Sequence, residues 1–434
     1  MSVLTSASAT ALARLIAWRE VTAREVVEAH LRRIEAVNPR VNAVVRLDAE
    51  RARAAADMAD GRGEPRGPLH GVPFTVKDTI AAAGIEMTMG APERAGVVAD
   101  ADATAVTRMR AAGAILLGKT NCPVYGGGIE TDNPVHGRTS NPYDLARTPG
   151  GSSGGEGAIV AAHGSPCGLG TDSGASVRLP AHFCGLASLK PSAGRVPLTG
   201  VLDDEGPLGT LGDPRTQVGP LARSVEDVAL LLRIVAGPDG RDGGVAPVPL
   251  GDPGDVALRG LRVAVQTDNG LDAPSSATVA AVTTAADALR AAGATVEPAR
   301  HPDGGHELTI EVWRSYGDGV GAAELWRLLR RWDAFRGRML AFAERYDLLV
   351  CPVFPGPARL HGTMNVAGER DPTSWTTPHS LTGWPAATVR AGTSPEGLPI
   401  AAQLVARPWR DDVALAGALR VERELGAWPP PPPL

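Results

Sequence analysis

The chain has 434 residues, 43% of them hydrophobic and 21% charged, with a formal net charge of −5. This is the balance of a soluble globular protein, and it offers no basic stripe for nucleic acid and no basic amphipathic helix for a membrane surface. No apolar run is long enough to span a bilayer, and Met1 to Thr10 lacks the basic start and apolar core of a secretion signal.

The first sixty residues read as helical. Thr22-Ala-Arg-Glu25 is a capping box that opens a helix running toward Pro39, and an alanine-rich helix covers Asp48 to Asp60. After a glycine- and proline-punctuated loop, Val72 to Val76 reads as a buried strand. Arg110-Ala-Ala-Gly-Ala114 and Arg290-Ala-Ala-Gly-Ala294 each stop an alanine-rich helix at a glycine and lead into a strand, the helix-to-strand half of an α/β unit. From Ala114 to Val196 the pattern is strand, loop, helix, twice over, with glycine-rich loops of the kind that carry function on a rigid scaffold. Leu261 to Val265 and Leu348 to Pro352 read as strands, and Leu308 to Tyr346 as mostly helical with Trp313, Trp326 and Trp332. Ala386 to Val389 and Leu398 to Val405 read as adjacent strands, followed by a helix over Asp411 to Leu425 and a loose polyproline end, Pro429 to Pro433. The expectation is a single α/β domain over 1–434, a mixed central sheet flanked by helices on both sides. It has N-terminal helices in 1–60 and a variable stretch, 240–345, that shapes the substrate pocket.

The four cysteines, Cys122, Cys167, Cys184 and Cys351, are scattered, which reads as reduced thiols in a cytoplasmic protein. The nine histidines show no paired ligand spacing, so neither a metal nor another cofactor is expected. Among 43 basic residues only Lys77, Lys119 and Lys190 are lysines. A lysine, unlike an arginine, loses its proton when buried, so a surviving lysine marks either a site that needs a neutral amine or a residue of GC-rich coding. Composition alone does not choose between them.

Two motifs match patterns whose context they lack. Gly113-Ala-Ile-Leu-Leu-Gly-Lys-Thr120 fits the P-loop letter for letter, yet its middle is strand-like and Asn121-Cys-Pro123 stops any following helix. Gly150-Gly-Ser-Ser-Gly154 fits a nucleophile elbow of a Ser-His-Asp hydrolase with Ser152 at its centre, but a polar loop precedes it instead of a strand.

A third arrangement suits amide cleavage, which needs a nucleophile, a base, an oxyanion hole and a proton for the departing amine. Asp172-Ser-Gly-Ala-Ser176 is a run of small residues that can aim successive N–H groups at one point. The short helix Val177 to Cys184 follows it, while Ser152 leads into a helix over Glu156 to Ala162. Lys77 can be a base only if burial brings its pKa down from about 10.4 toward neutrality. Asp78, next in a strand, points the opposite way.

At these residues the chain resembles the amidase signature family of serine hydrolases. The resemblance rests on Gly150-Gly-Ser-Ser-Gly-Gly-Glu-Gly157, Gly170-Thr-Asp-Ser-Gly-Ala-Ser-Val-Arg-Leu-Pro180, Phe183-Cys-Gly185, Leu189-Lys-Pro191 and Leu69-His-Gly-Val-Pro-Phe-Thr-Val-Lys-Asp78. It extends over most of 1–237 and 346–425 and is weak between 240 and 345. It implies an amide hydrolase with a Ser–cis-Ser–Lys triad: Ser176 the nucleophile, Ser152 the bridging serine after a cis peptide bond, Lys77 the base. It also implies an oxyanion hole from the N–H groups of Ser173, Gly174, Ala175 and Ser176, with Ser153, Asp172 and Arg178 bracing the loops. Family members usually carry glycine where Ala175 stands, so a tighter entrance is expected, and asparagine often stands where this chain has Ser380. The partner expected is a small-molecule amide, with a homodimer plausible by base rate. The alternative within the family is an amidotransferase subunit that passes ammonia to a partner.

Overall fold

The computed structural model describes residues 2–202, 215–318, 320–364 and 371–434. Two short helices, α1 (Val3–Ser6) and α2 (Ala9–Ala17), precede α3 (Ala23–Val41). The capping box at Thr22 is present: its side chain accepts from Glu25 N–H, and the Glu25 carboxylate accepts from Thr22 N–H at 2.8 Å. The helix runs through Pro39 and ends at Asn42, which takes φ 48. A proline in the last turn removes a single ladder bond close to where the ladder ends anyway.

The helical reading of the first sixty residues needs one correction. Val44–Leu47 is a strand, β1, paired antiparallel with β3 (Ile115–Thr120). Four residues between two amphipathic helices are too few for an alternating pattern to stand out. Helix α4 (Ala49–Asp60) follows, then β2 (Pro73–Lys77) and α5 (Thr104–Ala111) leading into β3. Next come α6 (Gly154–Ala161), β4 (Cys167–Asp172), α7 (Arg178–Cys184), β5 (Ala187–Lys190), β6 (Gln217–Ala222) and α8 (Val225–Val235). The second half holds β7 (Arg262–Val265), α9 (Ser276–Ala291), β8 (Thr295–Pro298), α10 (Gly305–Asp318), α11 (Ala322–Ala343) and β9 (Leu348–Pro352). The chain closes with α12 (Thr377–Thr382), β10 (Ala386–Thr393), β11 (Pro399–Ala406) and α13 (Asp411–Leu425).

Among the described residues the strands form one mixed sheet of 11, in the order β1-β3-β2-β4-β6-β5-β10-β11-β9-β7-β8, with helices packed on its two faces. β2 is parallel to both β3 and β4, as β7 is to β8 and β9, and the remaining pairs are antiparallel. The central strands are covered on both faces and read as unbroken buried runs. The two helix-glycine-strand echoes are real: Gly113 and Gly293 take φ +90 and +92 between α5 and β3 and between α9 and β8. A Cβ on Gly113 would also stand 2.7 Å from His70 Cα, so only glycine fits this turn.

The end of the chain is not loose at its start. Pro429 O accepts a hydrogen bond from Tyr143 Oη at 3.1 Å, and Arg390 lies 4.6 Å over the Trp428 ring.

Candidate active site

β2 and β4 lie side by side and parallel, with Thr75 opposite Gly168 and Val76 opposite Leu169. Their C-terminal ends therefore emerge together, the usual place for a site in an open α/β sheet. β2 ends in Lys77, which is fully buried. Its Nζ lies 2.6 Å from Ser152 Oγ and 2.8 Å from Thr171 Oγ1 on β4. Burial disfavours the ammonium and pushes the Lys77 pKa from 10.5 down to about 8, against the opposing pull of Cys122 and Asp172.

Ser152 follows a cis peptide bond from Gly151 and is buried at the mouth of α6. Its neighbour Ser153 ties two loops together: Ser153 N–H donates to Ser176 O at 3.1 Å, and its Oγ donates to Thr171 O at 3.2 Å. Ser176 is half-buried and opens onto a cavity of about 480 Å³ that Gly126, Ile129, Ser173, Gly174, Ala175 and Trp313 help to line. Gly126 joins this cavity to the buried pair, since a Cβ there would stand 3.5 Å from Ser152 Oγ and 3.6 Å from Lys77 Nζ.

The loop from Ser173 to Ser176 is pinned from beneath. Arg178, at the start of α7, grips Asp172 with Nε at 3.0 Å and Nη2 at 2.9 Å, and Asp172 also accepts from Val177 N–H. Burial alone would raise the Asp172 carboxyl; the Arg178 guanidinium, Lys190 and the Val177 N–H together outweigh it and hold the group below its ordinary value. Arg178 further donates to Gly174 O at 2.8 Å, Ser380 Oγ at 2.6 Å and Thr376 O at 3.0 Å. The backbone N–H groups of residues 173–176 donate to nothing among the described residues, so they remain available to an acceptor in the cavity. Ser173 Oγ is 2.5 Å from Thr216 Oγ1.

Ala175 is not among the residues with positive φ, so the backbone does not call for glycine there. The residue belongs to a buried cluster with Ile129, Leu179, Phe183, Phe354, Ala358 and Met364. The other two lysines are as buried as Lys77. Lys119 Nζ pairs with Asp78 at 3.4 Å, and Asp78 accepts from Thr88 Oγ1 and Met89 N–H, so this carboxylate is drawn away from Lys77. Lys190 donates to Pro191 O at 3.0 Å, and burial lowers it to about 7. Glu156, on α6, accepts from Thr120 Oγ1 at 2.8 Å and from Thr75 Oγ1, and burial pushes its carboxyl up to about 8.

The P-loop match is β3, with Lys119 inside the sheet. The partner of Ser152 Oγ is an amine and not an imidazole. Among the described residues no group of three or more His, Cys, Asp or Glu is placed to hold a metal, and no helix is long and apolar enough to cross a membrane. Two residues of the site, Thr171 and Gly126, escape the sequence motifs as functional positions. Thr171 sits inside the motif already quoted, and alternation along β4 gives the signal, placing it on the face opposite Asp172. Gly126 carries no such signal, because its place depends on a long loop. Of the tryptophans, Trp313 reaches the cavity, Trp375 and Trp384 are buried in the core, and Trp326 is exposed.

The family model described as Amidase matches residues 25–320 and 309–415. The chain is 35% identical to a glutamyl-tRNA(Gln) amidotransferase subunit from Anaeromyxobacter dehalogenans (strain 2CP-C), over 96% of each chain. It is also 35% identical to an acylamidase of Rhodococcus erythropolis, over 96% of this chain and 94% of the other. Among solved structures, 6-aminohexanoate cyclic dimer hydrolase superposes with a TM-score of 0.86 at 32% identity, over 98% of both chains.

Proposed function

We propose how this chain, which belongs to the amidase signature family and is an amide hydrolase, carries out its reaction: through a seryl acyl-enzyme on Ser176, with Lys77 as base and Ser152 as relay. Neutral Lys77 accepts the Ser152 hydroxyl proton while Ser152 accepts that of Ser176. Ser176 Oγ bonds to the carbonyl carbon, and the oxygen, now negative, is held by the N–H groups of Ser173, Gly174, Ala175 and Ser176. As the C–N bond breaks, the proton returns from Lys77 through Ser152 to the leaving nitrogen. Water then attacks the ester by the same relay, releasing the acid and restoring Ser176. Ser153, Asp172 and Arg178 hold the two loops in place.

The observation that carries this reading is a fully buried amine 2.6 Å from the hydroxyl of Ser152. A fluorophosphonate probe mapped by mass spectrometry tests it: the label is expected on Ser176, and a label on Ser152 instead would transfer the nucleophile's role to that residue.

A second reading, an amidotransferase subunit, is favoured by the similarity to a protein named as one. Stoichiometric co-purification with other subunits from the native source would support it. We place the enzyme in the cytoplasm, supported by four buried, unpaired thiols, and as a homodimer, supported by the exposed Trp326, Leu329 and Leu340 on α11. Sedimentation of the wild type against Trp326→Glu tests the dimer.

A further inference from the structure

We propose that Trp313 is the specificity-determining residue of the acyl side of the pocket, and that the substrates are amides of planar aromatic carboxylic acids. The inference rests on the triad reading above and extends it to the substrate class.

The orientation of a bound amide follows from three fixed points. Its oxygen must meet the N–H groups of residues 173–176. Its nitrogen must face Ser152, which returns the proton, and the cavity borders Ser152 at Gly126, where a Cβ would stand 3.5 Å from Ser152 Oγ. The remaining substituent, the acyl group, is therefore directed away from Gly126. At Gly174 the cavity wall is Trp313: a Cβ on Gly174 would lie 2.6 Å from both Cζ2 and Cη2 of the indole. The benzo edge of Trp313 thus sits directly over the loop that holds the carbonyl oxygen.

The wall is rigid. Leu308 and Val312 anchor α10 in a buried cluster with Trp332 and Phe335. His306 Nδ1 lies 2.9 Å from Thr377 Oγ1 in a buried hydrogen bond, which ties α10 to α12 beside Thr376, whose carbonyl accepts from Arg178. Arg215 lies 5.8 Å from the Trp313 ring centroid. Gly126, Gly127 and Gly128 line the leaving-group side of the same cavity without side chains, and Ile129, Leu202, Arg215 and Asp371 are among the residues that complete its wall with the indole. An aromatic acyl ring meets an indole edge in the edge-to-face arrangement that aromatic pairs prefer, a contact that a saturated ring of similar size does not make.

The test compares kcat/KM for benzamide and cyclohexanecarboxamide, read as ammonia release, in the wild type, Trp313→Phe and Trp313→Ala. The wild type is expected to favour benzamide by about tenfold, with the preference kept in Trp313→Phe and close to one in Trp313→Ala. Turnover of both amides by the wild type without preference overturns this inference and leaves the triad standing, as does an undiminished preference in Trp313→Ala. If Trp313→Ala does not fold, the wild-type ratio and Trp313→Phe decide. Failure of a fluorophosphonate to label Ser176, with no ammonia from either amide, overturns the triad reading and this inference together.

Discussion

Asp172 gives both of its carboxylate oxygens to Arg178, at 3.0 and 2.9 Å, in a pair that is completely shielded from solvent. Two consequences follow. The loop carrying Ser173 to Ser176 starts from a fixed point, and a negative charge that acts on the Lys77 amine is held by a guanidinium. Replacing Asp172 with Asn strands a buried guanidinium and should destabilise the protein by about 3–5 kcal/mol, measured by urea unfolding. Asp172 also favours the protonated form of Lys77, so in this variant the rise of any residual activity with pH should come at lower pH than in the wild type.

Lys77→Met removes the proposed base while keeping a buried, unbranched chain. Acylation should fall by roughly 10²–10⁴-fold, measured as the rate of fluorophosphonate labelling. Unimpaired labelling would remove Lys77 from the mechanism.

The wild-type pH profile should carry the same signature. As the proposed base the Lys77 amine would work without its proton, and burial brings its pKa to about 8. The rate of acylation should therefore climb as pH rises through about 8 and level off above it. A profile that is flat from pH 6 to 9 would be incompatible with this amine as the base.

Glu156 joins α6 to β2 and β3 through Thr75 and Thr120, and its pKa is raised from 4.5 to about 8. A carboxyl raised in the folded state contributes stability that is complete below pH 4.5 and lost as pH rises through about 8. Glu156→Gln, neutral at every pH, should flatten that decline between pH 4.5 and 8 in thermal melts. Glu156→Ala should cost about 2–4 kcal/mol, from the void left and the two threonine hydroxyls stranded.

Ala175→Gly tests whether the proposed oxyanion loop is short of glycine. Its backbone takes no positive φ, and the residue sits in a closed apolar cluster. The substitution should lower stability by about 1 kcal/mol, from a lost methyl contact and added chain entropy, seen in urea unfolding. A gain in stability would mean the methyl is strained.

What could be read in advance divides along physical lines. The strand of Lys77, the two serine loops and the helix after Ser176 were legible because each is coded locally, by apolar runs, small-residue turns and punctuation. β1 was hidden by its shortness, and β6, with Gly219 and Pro220 inside it, by residues that usually end strands. The site is harder to read than its parts. The contact between Lys77 and Ser152 joins residues far apart in the chain, and residue types alone do not bring them together; only the resemblance pairs them. Thr171, Gly126 and the indole edge over Gly174 depend on how loops and α10 fold back over the sheet, which no local pattern encodes.

Lys77, Ser152 and Ser176 all come from the first half of the chain, on or beside β2, β4, α6 and α7, while Trp313 arrives from α10 in the second half. On the proposed mechanism, bond-breaking and substrate choice thus fall to separate stretches of polypeptide that come together over Gly174. Mutation can redraw the ceiling of the chamber while its floor stays unaltered, which gives such a scaffold room to acquire new tastes without relearning its trade.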